Sequence, residues 1–307
     1  FEKNENNQNC LTSYKLIQGK VEKGYTNQRL YINLSENKIK NRPIDSKVKD
    51  IFTGGRGYGM WYLFNAVSPN TKWNDPENAI CMASGPMGGK PVYQDSGKSI
   101  VTTISPLTGS VIDSNVGGYF GPYLKFSGFD ALEVTGKTSK DVVIFIDGID
   151  EKVQIFKTSG LPDDSYTLSA ILTEHFANGK PRNISVVSTG AGAKNTRMGC
   201  LNFTWYDLKR KRARYKQAGR GGIGGVFADK GIKAIVARWD TVTTKTNNPA
   251  DANRLKEVGR MHSKEVVELD PKQNQMAQIG TTHLVPIMND FDLLPTHNFQ
   301  YGQHAEA

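Results

Sequence analysis

Residues 105–137 read SPLTGSVIDSNVGGYFGPYLKFSGFDALEVTGK, and residues 218–238 read AGRGGIGGVFADKGIKAIVAR. In both stretches glycine-rich turns lead into a short apolar segment of strand length. PLTGS turns the chain, the span from Asn115 to Lys125 holds Gly117, Gly118 and Gly121, and Ala131 to Val134 reads as a strand. GIKAIVAR (231–238) closes the second stretch as another strand.

Upstream, RLYINL (29–34) alternates as a strand does, SENK turns, and Lys38-Ile39-Lys40 begins the return of a hairpin. A helix is expected over 58–67, with Gly54, Gly55, Gly57 and Gly59 clustered at its N-terminal side, where glycine disfavours a helix interior. NAICMAS (78–84) and KSIVTTIS (98–105) read as strands around a long Gly/Pro loop. Val142 to Ile146 and KVQIF flank the hairpin turn DGID (147–150), and Leu168, Ile171, Leu172 and Phe176 space a helix over 164–177. ISVVSTG and MGCLNF are further strands. The class is therefore α+β. A β-rich domain spans 29–240, after a polar extension (1–28) with at most irregular structure. A linker and the start of a helical domain follow over 241–307, with a helix over 250–269; this part is too short to bury a core alone and is expected to pack on something else.

Composition narrows the setting. The chain has 307 residues, enough for one large or two modest domains, and no apolar run approaches the ~18 residues of a membrane span. The polar start FEKNENNQNC has no apolar core of a secretory signal. Cys10, Cys81 and Cys200 form no C-x-x-C and no even framework, which points to a reducing, cytoplasmic setting; Cys81 and Cys200 read as small buried side chains. The formal net charge is +9, and LKRKRARYKQAGR (208–220) holds seven basic residues and no acid. That run reads as a solvated basic loop, or as a surface for an anionic partner such as nucleic acid or a phosphorylated cofactor. Nucleic acid is disfavoured, because Tyr215 is the run's only aromatic and no recognised nucleic-acid module accompanies it.

Three glycine segments carry the chemistry: GGRGYG (54–59), NVGGYFG (115–121) and AGRGGIGG (218–225). Glycine lets backbone N–H groups approach a bulky anion. Each segment holds or adjoins a polar or basic side chain: Arg56, Asn115 with Lys125, and Arg220 with Lys216. Singly each is a tight turn; together they suit a large phosphorylated cofactor. Gly219 to Gly224 also imitates the dinucleotide fingerprint G-x-G-x-x-G, but it follows a basic run rather than an apolar strand and has no room for a long helix. The five histidines form no close ligand pair, though His283 and His297 could line a cavity.

RLYINLSENKI, GGRGYGMWYLFNAVSPNT, DPENAICMASGPMGG, the stretch ending at Lys137, AGRGGIGGVFADKGIKAIVAR and GTTHLVPIMNDFDLLPTHNFQYG occur in an order and spacing that resembles the N-terminal portion of the tungsten-dependent aldehyde:ferredoxin oxidoreductases. The resemblance covers about residues 29 to 304. It implies a saddle of two β-sheets on which a tungsten-bis-pyranopterin (tungstopterin) rests, with Mg²⁺ bridging the pterin phosphates. It also implies covering helical domains with a [4Fe–4S] cluster, and oxidation of an aldehyde to a carboxylate with electrons passed to the cluster and ferredoxin. By resemblance Asn115 and Gln217 offer backbone carbonyls to Mg²⁺. Lys98 and Lys216 stand where relatives carry arginines facing the phosphates, keeping the charge without the bidentate fork. Gly219, Arg220, Gly221 and Gly222 match a pterin-contacting loop, and Arg56, Gly117 and Gly118 complete the contacts.

The family's cluster motif C-x-x-C-x-x-x-C should follow NFQ-G, and no such motif precedes Ala307. The expectation is an oxidoreductase completed by a second polypeptide, or by a C-terminal part, carrying the helical domains and cluster cysteines. Alternatives are a benzoyl-CoA reductase-like catalytic subunit, or a non-catalytic scaffold retaining the fold. The stretch 200–216 is longer than in simple relatives and is a candidate docking surface for electron-transfer subunits.

Overall fold

The computed structural model describes residues 9–17, 19–89, 92–93, 96–240, 246–273 and 275–305. Among them are thirteen strands: β1 (Cys10–Lys15), β2 (Gln28–Asn33), β3 (Lys38–Pro43), β4 (Ile80–Ala83), β5 (Ser99–Ile104), β6 (Val111–Val116), β7 (Ala131–Thr135), β8 (Val142–Asp147), β9 (Lys152–Lys157), β10 (Ile184–Ser188), β11 (Leu201–Asp207), β12 (Arg212–Ala218) and β13 (Ile232–Arg238). The helices are α1 (Ser46–Phe52), α2 (Arg56–Ala66), α3 (Phe120–Phe126), α4 (Ser165–Ala177), α5 (Ile223–Asp229), α6 (Ala252–Gln273) and α7 (Leu284–Asp290).

The strands form two mixed sheets, one in the order β1-β9-β8-β13-β10-β11-β12 and one in the order β3-β2-β7-β4-β5-β6. Only β8/β13 and β2/β7 are parallel. Successive side chains of a strand point to opposite faces, and the central strands are apolar on both. In β8, Ile144 and Ile146 enter the layer between the sheets, while Val143 and Phe145 pack outward under α4. In β4, Ile80 and Met82 face the shared layer and Cys81 and Ala83 face α2. Helices α3 and α5 contribute Phe120, Leu124, Val226 and Phe227 to the middle layer, and Phe120 meets Phe203 edge-on at 5.6 Å.

Local chemistry sets the helix ends. Asp164 caps α4 by accepting from Thr167 N at 2.7 Å, and Asn178 ends it in the left-handed region. The glycine cluster of α2 has a packing cause. A Cβ on Gly59 would come within 2.3 Å of Thr102 Oγ1, so helix and sheet can approach only without one. The helix starts at Arg56, two residues before its expected start.

Three segments differ from the sequence reading. Within the polar 1–28 extension, Cys10–Lys15 forms β1 and pairs with β9. The basic run is no loop beyond Lys211: Arg212–Ala218 is β12, paired along its length with β11. Val111–Val116, with its polar Asp113, Ser114 and Asn115, is β6, and α3 follows it. All three of these strands close a sheet edge. A strand at an edge needs fewer apolar side chains, so the apolar pattern is weak there.

Contacts group the residues after 250 as a second, C-terminal unit, to which residues 92 and 93 also belong. In that unit Tyr93 stacks on His262 at 5.4 Å, and Gly259 is the buried residue of α6. Met261, Val267, Phe291 and Phe299 are exposed.

One buried ion pair ties two neighbouring strands of the larger sheet. Asp147 ends β8 fully buried, and Arg238 ends β13 at 6% exposure. Arg238 Nε donates to Asp147 Oδ1 at 2.8 Å, and its Nη2 reaches both Asp147 and Asp150. Removing one partner of such a pair strands the other charge. Asp147→Ala is expected to cost about 3 kcal/mol, the low end for a broken buried pair because Asp150 still accepts. Urea unfolding at neutral pH measures it, and a loss under about 1 kcal/mol would show that Asp150 and water replace the carboxylate.

Candidate functional site

The site lies in the first unit, where two sheet edges meet. β6 ends the smaller sheet and β12 ends the larger one. Arg220 N donates to Ser114 Oγ at 3.2 Å, and Ser105 Oγ donates to Gly221 O at 2.7 Å. A Cβ on Gly117 would find only Lys216 Cγ, at 3.8 Å. Asn115 follows Ser114 on β6, and Gln217 follows Lys216 on β12, so the structure brings both to this junction. Both are exposed. The Gln217 side-chain amide donates to Asn202 Oδ1 at 3.2 Å.

The cations gather on the same surface. Ser99 faces Val116 across the β5/β6 ladder, which puts Lys98 beside Gly117. Arg56, at the start of α2, reaches Asp113 of β6 at 3.0 Å with its side chain 64% exposed. Lys98, Lys216 and Arg220 are exposed and have no ion-pair partner among the described residues. Among the described residues, Asp113 is the one carboxylate ion-paired with any of these four cations, which favours a positive local potential.

The glycines divide into two kinds. Gly222 has φ +70°, and a Cβ there would lie 1.9 Å from Arg197 O; Gly221 would meet Ile112 at 2.4 Å. Those two are required by the chain's own packing. Gly219 has no positive φ and no heavy atom within 4 Å of a Cβ, and Gly117 is nearly as open. Nothing among the described residues demands glycine at either. An open backbone edge beside unpaired cations fits a large anionic group that must come close. Gly118, at φ +110°, lies with Gly97 at the same place, its carbonyl 2.7 Å from where a Gly97 Cβ would be.

Lys125 does not join the cradle. It is fully buried, and its Nζ donates to Gly85 O. Burial lowers its pKa to about 8, with Asp130 pulling the other way. Lys230 is held similarly, donating to Pro76 O at 3.2 Å and Gly136 O at 3.1 Å, and burial also lowers it to about 8. Cys81 is buried, but Cys200 is only partly so. His283 and His297 lie in the C-terminal unit, His297 exposed with its ring edge-on to Tyr301 at 5.6 Å. Beside the cradle is a cavity of about 410 Å³, walled by Gly118, Tyr119, Tyr123 and Arg182, which sequence reasoning missed. Its only local signal is the i, i+4 spacing of Tyr119 and Tyr123. Among the described residues no three or more His, Cys, Asp or Glu side chains converge as a metal site, and no helix is long and apolar enough to cross a membrane.

Fold and site define an α+β domain of two mixed sheets with an anion-attracting, glycine-floored surface where the sheet edges meet. The family model "Aldehyde ferredoxin oxidoreductase, N-terminal domain" matches residues 29–239, and the chain belongs to this family. It is 33% identical over 279 residues to the tungsten-containing aldehyde ferredoxin oxidoreductase of Pyrococcus horikoshii, covering 91% of this chain and 43% of the relative. It is 26% identical to the aliphatic sulfonate oxidoreductase WOR-like subunit of Pyrococcus furiosus, covering 70% of this chain and 34% of that protein. Among solved structures, the active site complex BamBC of benzoyl coenzyme A reductase with 1,5-dienoyl-CoA matches with a TM-score of 0.62 and 28% identity, over 70% of this chain and 31% of that one. The chain therefore spans under half the length of these relatives.

The two kinds of glycine should separate on substitution. Gly222→Ala is expected to lose more than about 1 kcal/mol of stability, because neither its φ nor its space admits a Cβ. Gly219→Ala should change stability by no more than about 0.5 kcal/mol. Chemical denaturation of both variants checks this.

The buried lysines predict a pH dependence. Burial disfavours their charged form, and this penalty stands in full below about pH 8. Between about 8 and the ordinary lysine value of 10.5 the folded chain has shed protons the unfolded chain retains, so stability rises with pH. Above the ordinary tyrosine value of 10.0, burial keeps Tyr58, Tyr62 and Tyr123 protonated after the unfolded chain has lost those protons, which drives stability down. Urea midpoints should climb from pH 8 to pH 9.5, and the climb should shrink in Lys125→Met.

Proposed function

We propose that residues 29–240 form the base that holds a tungsten-bis-pyranopterin in an oxidoreductase that oxidises aldehydes to carboxylates. The observation carrying this is the meeting of β6 and β12, where Gly117 and Gly219 are open and Lys98, Lys216 and Arg220 have no ion-pair partner among the described residues. Family membership and the tungsten-containing relatives support the cofactor's identity. In this reading Lys98, Lys216 and Arg220 neutralise the pterin phosphates, with Arg56 alongside. Gly117, Gly118, Gly219, Gly221 and Gly222 keep the floor low enough for backbone N–H groups to reach them. Asn115 and Gln217 present backbone carbonyls to a Mg²⁺ between the phosphates, hard oxygen donors of the type that ion takes. When bound, the metal supplies the two-electron redox chemistry; the chain's part is to bind, orient and neutralise.

Electrons would leave through an iron–sulfur cluster to ferredoxin. The relatives are more than twice this chain's length, and we place the cluster, the substrate channel and the covering helical domains in further polypeptide, on this chain or a second one. The exposed apolar side chains of 251–305 suit burial against it. The free cysteines suit a reducing cytoplasm. The match to the benzoyl coenzyme A reductase complex supports a second reading, a catalytic subunit that reduces an aromatic ring.

Elemental analysis with native mass spectrometry on protein from its natural source tests the proposal. One tungsten per chain and a cluster-bearing segment are expected, and Lys216→Glu with Arg220→Glu should lower pterin and tungsten content together while leaving the fold intact by circular dichroism. Material without tungsten or pterin would overturn the reading. Coupling of simple aldehydes to ferredoxin reduction separates the first reading from the second.

A further inference from the structure

The β11/β12 hairpin is not needed by the cradle beyond Lys216, yet its tip is the most basic part of the chain. Asp207 organises it. Its Oδ1 accepts from the backbone N–H of Lys209 at 3.0 Å and of Arg210 at 3.1 Å, and its Oδ2 takes Arg210 Nη1 at 2.9 Å. Arg214 reaches the same carboxylate at 3.9 Å. This one acid is nearly buried, at 7% side-chain exposure, whereas Arg210 and Arg214 are 55% and 40% exposed. Lys209, Lys211 and Arg212 have no ion-pair partner among the described residues. Charge guards an edge strand against pairing with copies of itself, but one or two lysines suffice for that.

The two faces of β12 differ in kind. Arg212, Arg214 and Lys216 pair across to Asp207, Trp205 and Phe203 and so share one face, with neighbours about 7 Å apart. Ala213 lies on the other face with Tyr206, and there it borders a groove of about 720 Å³ shared with Ile171 and Ala177 of α4. β12 is the last strand of its sheet and pairs along its length with β11, so its outer edge, from Arg212 to Tyr215, pairs with no other strand among the described residues. An added strand would have side chains alternating between the same two faces.

We propose that this edge is the docking site for an extended, acidic segment of a protein partner, which adds to β12 as an eighth strand. Acidic side chains of the segment pair with Arg212 and Arg214 on one face, and its apolar side chains enter the groove beside Ala213, Tyr206 and Ile171 on the other. Main-chain hydrogen bonds supply affinity and the alternating side chains supply specificity. A protein fits better than nucleic acid because the two aromatics of the hairpin nearest its basic face are already engaged. Tyr215 packs edge-on to Tyr166 at 4.3 Å, and Trp205 packs on Tyr119 at 6.2 Å, leaving neither ring for a base.

The test uses a synthetic peptide of about ten residues alternating Glu and Val, titrated into the full chain at low salt. A block-ordered peptide of the same composition, one with Lys for Glu, and a single-stranded oligonucleotide of equal charge serve as comparisons. The alternating peptide should bind, more weakly as salt rises. Lys211→Glu/Arg212→Glu should weaken it about tenfold, and Lys47→Glu/Lys72→Glu, an equal charge change elsewhere, should leave it unaltered. The proposal is overturned if no peptide binds, if both double variants weaken binding alike, if the block-ordered peptide binds as well, or if the oligonucleotide binds more tightly. None of these readouts depends on tungsten, so the cofactor reading and this one fail separately.

Discussion

The layer of apolar side chains shared by the two sheets is the constraint on which the rest depends. Ile32, Val101, Leu132 and Val134 come from the smaller sheet, and Ile144, Ile155, Phe203 and Ile235 from the larger. Burying both sets in one layer fixes how the sheets face each other. That fixes where their last strands meet. β6 and β12 are mostly half-buried or exposed, and they contribute little to the core themselves. Their contact follows from packing deeper in the fold, with Ser114 and Ser105 hydrogen bonds finishing it. Rigidity of the candidate site is thus inherited from residues that never touch a ligand.

The same division explains what could be read in the sequence. β2, β4, β5, β7, β8, β9, β10 and β13 are legible because apolar runs of strand length lie between turn residues. β1, β6 and β12 are not, and each closes a sheet edge. CLTSYK, VIDSNV and RARYKQA each keep a polar or charged face, so no apolar alternation betrays them. Two of these three strands meet at the candidate site. Polarity that suits a surface for anions is what hides the strand from pattern reading.

The glycine segments were legible as a set, but their division was not. Sequence shows glycine at Gly219 and Gly222 alike. Only the backbone shows that Gly222 adopts a left-handed φ against Arg197 O while Gly219 sits in open space. Lys125 misleads for the opposite reason. It lies ten residues from Asn115 in a segment rich in phosphate-loop features, yet α3 turns it inward.

Basic residues in this chain therefore do two different jobs, separated by solvation. Lys125 and Lys230 are stripped of water and held by the backbone carbonyls of Gly85, Pro76 and Gly136, where desolvation weakens the charge itself. Such lysines tie loops to the core and give little field outside. Lys98, Lys216 and Arg220 stay solvated and have no ion-pair partner among the described residues. These three contribute to an outward field at the sheet junction, where Asp113 is paired with Arg56. A surface arranged this way gains by meeting an anion, since the repulsion among its own cations is relieved only when one arrives.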